Sequence, residues 1–222
     1  ERGREVGFPF SGAADRCLAV DENGNVVNGD QIMYICAKHL KKNGQLPSNT
    51  VVTTIMSNFG LYKALDRIGI GYEKTAVGDR FVYENMKEND HLIGGENSGH
   101  VIFRKYARTG DGILTAIMVM MVMIETQLPL SVLASEVEMF PQVLKNVVVD
   151  DKKATMDDPA VKLQVESCTA ELGDSGRVLL CPSGTEPVLR VMSEAPTYEI
   201  CEKHVDAIIE SMKKNGHLVK IK

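Results

Sequence analysis

With 222 residues, 44% hydrophobic and 25% charged, the sequence has room for one large or two small globular domains. A net charge of -5, with no Lys/Arg-rich stretch, argues against nucleic acid as the main partner but leaves an anionic small molecule open. The most apolar run, residues 113–124, falls short of the about 20 residues of a membrane span and predicts a buried helix instead.

Residues 1–10 lack a long apolar segment, so no signal peptide is expected, and partial disorder is. Cys17 to Asp21 (CLAVD) reads as a strand, followed by a turn at Glu22-Asn23-Gly24-Asn25. Asp30 is the expected cap of a helix carrying Ile32, Ile35, Cys36 and Leu40 on one face and ending at Gly44. This piece is too small to bury its own core, so residues 1–44 read as the tail of a preceding α/β domain.

A fresh α/β unit follows. TVVTTIM is apolar and β-branched, as in a strand buried on both faces of a parallel sheet. Helices are predicted over 58–68 and 80–88, strands at 71–76, 91–94 and 101–103, and a long buried helix from Asp111. Strands alternating with helices predict a three-layer α/β domain over residues 45–138. Near residue 139 the pattern changes. QVLKNVVVDD, GRVLLCPS and VLRVMSEA read as strands, with helices over 157–172 and 198–215, predicting a small α+β domain over 139–222. The five cysteines, Cys17, Cys36, Cys168, Cys181 and Cys201, are odd in number and unpaired in spacing. They read as packing residues of a protein from the reducing cytoplasm.

The loops carry the chemistry. Pro182-Ser183-Gly184-Thr185-Glu186-Pro187, followed by Arg190, gathers two hydroxyls about a glycine, a nest suited to phosphate, although an ordinary turn would use the same residues. In Gly95-Glu96-Asn97-Ser98-Gly99-His100, Glu96 offers acceptors for sugar hydroxyls and Ser98 a further hydroxyl. His100 can bond a ligand or move a proton near neutral pH, the alternative being structural roles for both Glu and His.

CPSGTEPVLRVMSEA and GENSGH together resemble the phosphate loop and the G-E-x-S-G-H sugar loop of the α-D-phosphohexomutase superfamily. More narrowly they resemble its bacterial phosphoglucosamine mutases, from about Asp15 to the end of the chain. Thr75-Ala76-Val77-Gly78-Asp79-Arg80 is similar to the family's loop facing the distal part of the sugar phosphate. Ser57-Asn58 and Thr109-Gly110-Asp111-Gly112 also match, the latter read first as a helix cap. The resemblance implies interconversion of glucosamine 6-phosphate and glucosamine 1-phosphate through a bound 1,6-bisphosphate. It implies phosphate grip by Ser183, Gly184, Thr185 and Arg190, and sugar binding by Glu96, Ser98, His100, Thr75 and Gly78. Arg16 and His100 would be the catalytic residues, with Arg16 and Asp15 near the phosphoryl-transfer centre, and a homodimer is implied for the full-length family. A phosphomannomutase/phosphoglucomutase and a non-catalytic sugar-phosphate-binding module are the alternatives.

The family binds Mg²⁺ through D-G-D-x-D-R, but the matching stretch here is Ser11-Gly12-Ala13-Ala14-Asp15-Arg16, leaving Asp15 as a lone, weak metal ligand. The family's phosphoserine motif, of the form T-A-S-H-N, has no Ser-His-Asn counterpart in the sequence. Position 181, commonly Arg in these mutases, is Cys, a loss of about 1–3 kcal/mol of phosphate affinity if the contact is buried. Phosphoryl transfer by the chain alone is therefore expected to be negligible.

Overall fold

The computed structural model describes residues 6–183 and 186–221. The chain divides into two compact units, Glu1–Met139 and Phe140–Lys222.

The first unit begins with a two-stranded hairpin, β1 (Ala19–Val20) against β2 (Val26–Val27). Asp21 closes it, its Oδ1 accepting from the N–H groups of Asn23 and Asn25 at 2.9 and 2.8 Å, an Asx-type turn. Residues 6–10 are paired rather than disordered. Gly7 exchanges two backbone hydrogen bonds with Val20 at 2.9 and 2.8 Å, and the Leu18 N–H donates to the Pro9 carbonyl. Residues 1–5 lie outside the described residues.

Helix α1 (Gly29–Lys42) is capped by Asn28, not by Asp30. The Asn28 side chain takes the Gln31 N–H, and the Gln31 side chain takes the Asn28 N–H, each at 3.2 Å, a reciprocal box that a cap two residues later would forfeit. Asp30 is instead fully buried and accepts from the Asn58 N–H at 2.7 Å.

The central sheet has the order β4-β3-β5-β6, from β3 (Thr50–Thr54), β4 (Gly71–Thr75), β5 (Ile93–Gly95) and β6 (Val101–Phe103). β3 runs parallel to both β4 and β5, while β6 returns antiparallel to β5. Alternation along β3 sends successive valines to opposite faces. Val51 joins the core of α1 and α2 (Phe59–Arg67), and Val52 packs with Val82 and Met86 of α3 (Asp79–Glu88). Helix α4 (Gly112–Thr126) and the short α5 (Leu130–Ala134), which periodicity did not predict, complete the unit.

Residues 1–44 fall in the same compact unit as residues 45–139, and Ile32, Met33, Ile35 and Cys36 share one core with Leu61, Leu65, Ile93 and Met118. Helix α4 is not buried all round. Ile113, Ile117, Met120 and Ile124 form an exposed stripe, although the helix is as apolar as its sequence suggests. Among the described residues no helix is long and apolar enough to cross a membrane.

The second unit is an antiparallel sheet of order β10-β7-β9-β8, from β7 (Gln142–Val149), β8 (Arg177–Pro182), β9 (Val188–Glu194) and β10 (Leu218–Ile221). Helices α7 (Pro159–Leu172) and α8 (Tyr198–Lys214) fill its core with Val161, Cys168, Val205, Ile208 and Met212 against Val147, Leu189 and Val191. The single-turn helix α6 (Lys152–Asp157) and strand β10 were not predicted. β10 is short and mostly exposed, and pairing with β7 rather than its own pattern makes it a strand.

Candidate functional site

Three loops of the first unit meet at the ends of β5 and β6. The turn over residues 96–100 is closed by Glu96 N–H to the His100 carbonyl at 3.0 Å and Gly99 N–H to the Glu96 carbonyl at 3.1 Å. Gly99 has φ 91°, and a Cβ there would lie 2.3 Å from the Cys17 carbonyl oxygen. No side chain fits either the conformation or the space. The close approach exists because the Cys17 N–H donates to the Gly99 carbonyl at 3.0 Å, fastening the sugar-type turn to the residue after Arg16.

The third loop, 109–112, packs on both. The Gly112 N–H donates to the Ala14 carbonyl at 2.8 Å, and the Gly110 N–H to Nε2 of His100 at 3.2 Å. A Cβ at Gly110 would stand 2.5 Å from the His100 ring and 2.7 Å from the Asp15 carbonyl oxygen, so this position too admits only glycine. Asp111 caps α4 by accepting the Leu114 N–H at 2.9 Å, the role expected of it.

Within this frame, Glu96, Ser98 and Gly78 come together. One Glu96 carboxylate oxygen accepts the Gly78 N–H at 3.0 Å, and the other the Ser98 hydroxyl at 3.4 Å. Gly78 is the N-cap of α3, so the carboxylate rests where the helix dipole favours negative charge. Glu96 is half-buried, and two bonds leave lone pairs for a ligand. Asp79, which sequence reasoning passed over although it lies within the Thr75–Arg80 stretch, sits with Oδ2 3.9 Å from His100 Nε2. His100 is only 3% exposed. With Nε2 accepting from Gly110, the proton of a neutral ring is on Nδ1, which is buried and has no hydrogen-bond partner. Proton movement through Nε2 would first have to break the Gly110 bond. Thr75 turns its hydroxyl back on the chain, towards the Thr53 and Ala76 carbonyls at 3.2 and 2.9 Å.

The loop over residues 11–16 is closed by its own hydrogen bonds. The Ala14 N–H donates to the Ser11 carbonyl at 2.9 Å, the Arg16 N–H to Ser11 Oγ at 3.2 Å, and Ala14 holds φ 54°. Ser11 Oγ donates to Asp15 Oδ1 at 2.7 Å, and this bond first, then the residue's own backbone N–H and the Arg16 charge, holds the Asp15 carboxyl below its ordinary range. Arg16 is exposed, with Nε 4.0 Å from Asp15. Mg²⁺ calls for several hard oxygen ligands; here Ala13 offers no side-chain donor and the one carboxylate is engaged by Ser11. The residues present do not fit the metal. Among the described residues no group of three or more His, Cys, Asp or Glu is placed to hold one. Burial pushes the Cys17 thiol up to about 11 and Cys36 up to about 12, which makes both unreactive packing groups.

The second unit carries Ser183 and Arg190; Gly184 and Thr185 lie outside the described residues. Ser183 is buried, its N–H donating to the Val188 carbonyl at 2.8 Å and its hydroxyl accepting from the Glu186 N–H at 3.4 Å. Arg190 is exposed on β9, directly across from Cys181 on β8. Burial raises the Cys181 thiol, with Arg190 and Arg177 pulling the other way, so the thiol is neutral at pH 7. Lys152 also reaches this loop and was missed, because 31 residues separate it from Ser183 and no local pattern marks it.

Residues 28–140 match the family model described as phosphoglucomutase/phosphomannomutase, alpha/beta/alpha domain III, and residues 144–211 match that family's C-terminal domain. The chain is 55% identical over 215 residues to a phosphoglucosamine mutase of Lachnospira eligens, covering 97% of this chain and 48% of that protein. It is 52% identical over 218 residues to that of Lachnoclostridium phytofermentans, covering 98% and 49%. The chain thus spans about half the length of the curated relatives it matches. Among solved structures, an N-acetylglucosamine-phosphate mutase in a product complex shares the fold at TM-score 0.75 and 22% identity, over 92% of this chain and 48% of that one. The Aspergillus fumigatus N-acetylphosphoglucosamine mutase in complex with GlcNAc-6P and magnesium does so at TM-score 0.76 and 17%, over 94% and 48%.

Proposed function

Because the chain belongs to the phosphoglucomutase/phosphomannomutase family, we propose that it forms the substrate-gripping half of a phosphoglucosamine mutase. Such an enzyme interconverts glucosamine 6-phosphate and glucosamine 1-phosphate. The observation that carries this reading is the Glu96 carboxylate, held by the Gly78 N–H and the Ser98 hydroxyl with Asp79 and His100 beside it. A half-buried carboxylate fixed in this way can accept from two sugar hydroxyls, or from one hydroxyl and the ammonium of an amino sugar. Two acidic side chains at one loop cluster favour the cationic amino sugar over a neutral hexose, and the relatives' name points the same way. That preference weighs against the phosphomannomutase/phosphoglucomutase alternative.

In this reading Ser183, Thr185 and Arg190 grip the phosphate that does not react, together with the backbone at Gly184. His100, buried and with Nε2 engaged by Gly110, orders the loop beside Glu96 rather than shuttling a proton. Arg16, exposed and only loosely paired with Asp15, is free to meet a transferring phosphoryl group. No step is assigned to Mg²⁺, since residues 11–16 do not suit it, and the chain by itself binds without turnover. The specific test is a calorimetric titration with glucosamine 6-phosphate and, separately, glucose 6-phosphate. Saturable binding that prefers the amino sugar is expected. Preference for glucose 6-phosphate would overturn the substrate assignment, and no binding of either would overturn the whole reading.

A further inference from the structure

The loop that follows β8 is tied at both ends by a single ammonium. Asp151 caps α6, taking the Lys153 and Ala154 N–H groups at 2.8 and 2.9 Å, and so fixes Lys152 as the first residue of that helix. From there Lys152 Nζ donates to the Ser183 carbonyl at 2.6 Å and the Glu186 carbonyl at 2.9 Å. These two carbonyls stand on either side of residues 184 and 185. The loop ends are otherwise fastened to the sheet, through Ser183 N–H to the Val188 carbonyl and Val149 N–H to the Pro187 carbonyl at 3.1 Å.

Two features make this more than a surface contact. Lys152 is half-buried, and both of its bonds go to neutral carbonyls. An ammonium also has three N–H donors, so one remains beyond the two carbonyls. Meanwhile the neutral thiol of Cys181 contributes no charge at the neighbouring strand position.

We propose that Lys152 is the positioning cation of the phosphate-binding loop. It draws the carbonyls of Ser183 and Glu186 to one point and brings a positive charge to the two ends of the loop. The inference rests on reading residues 182–187 as a phosphate grip. NMR titration with inorganic phosphate tests it, using the unaltered chain, Lys152→Met, Lys152→Arg and Ser183→Ala, each with its melting temperature. Lys152→Met is expected to weaken phosphate binding about tenfold and Lys152→Arg by no more than about threefold, with melting temperatures within about 2 °C of one another. Equal binding by Lys152→Met and the unaltered chain, with Ser183→Ala impaired, overturns the role of Lys152 while leaving the loop reading intact. Equal losses in the Met and Arg variants, or a loss that tracks a lowered melting temperature, assign Lys152 a structural part only and also overturn it. No phosphate binding by the unaltered chain overturns the loop reading and the inference together.

Discussion

Residues 95–100 and 11–16 form two loops joined through the hydrogen bond from Cys17, the residue after the second loop, to Gly99, yet they differ in what they carry. The first gathers polar groups, with Glu96, Ser98 and Gly78 linked. The second is ordered but carries a single carboxylate, Asp15. Ser11 and Ala13 stand where the resembled D-G-D-x-D-R pattern has carboxylates, and bonds from the Ala14 and Arg16 N–H groups close the loop. The difference teaches that shape and chemistry are encoded separately in such a loop. Glycines, positive φ angles and backbone partners set the first, and a few side chains set the second. A loop can therefore persist as a packing element after its ligand chemistry is gone.

The largest effect should come from attacking the shared frame. Gly99→Val puts a branched side chain at φ 91° and against the Cys17 carbonyl, and is expected to destabilise the first unit by about 3 kcal/mol. Chemical denaturation measures it, and a change below about 1 kcal/mol would mean the two loops are not rigidly joined. Next comes the chemistry of the intact loop. Glu96→Gln should lower glucosamine 6-phosphate affinity by about 2 kcal/mol and erase the preference over glucose 6-phosphate, with little change in melting temperature. Retained preference in calorimetry would move the specificity elsewhere.

Restoring chemistry to the altered loop is a smaller, constructive test. Ser11→Asp combined with Ala13→Asp should create a Mg²⁺ site, read as a gain of about 1.4 kcal/mol in unfolding free energy at ten times the dissociation constant. If Mg²⁺ still has no effect, the backbone of residues 11–16 has lost the ligand geometry as well. The smallest effect concerns the Ser11–Asp15 bond. The folded Asp15 carboxyl titrates below the ordinary 3.8, so its stabilisation is present above that pH and is lost as pH falls through the depressed value. Ser11→Ala removes the main cause and should move the Asp15 titration upward, followed by carboxyl-carbon NMR; an unmoved titration would assign the depression to another group.

Much of this was legible in the sequence, for identifiable reasons. The sheet of the first unit announces itself because TVVTTIM is buried on both faces, and the candidate site because rare residue types cluster in GENSGH and PSGTEP. What escaped depends on tertiary context. Asp30 has the composition of a cap, but Asn28 with Gln31 makes two bonds where Asp30 would make one. β10 exists by pairing with β7, and α5 and α6 are too short for periodicity to register. Residues 1–44 look incomplete alone because the partners of α1 come from Leu61, Ile93 and Met118, far along the chain. Apolarity over 113–124 predicted burial, yet it does not reveal which face of α4 finds partners. For Lys152, only the fold brings the side chain to Ser183 and Glu186.

The central claim is that recognition survives here while metal chemistry does not. It is tested most directly by following the Gly78 and Gly99 amide signals of the ¹⁵N-labelled chain during titration with glucosamine 6-phosphate, once with Mg²⁺ and once with EDTA. Both signals should shift to saturation with the same dissociation constant in the two conditions. Shifts that appear only with Mg²⁺, or an affinity that rises more than about threefold with it, would contradict the account by showing that residues 11–16 still bring a metal to the substrate.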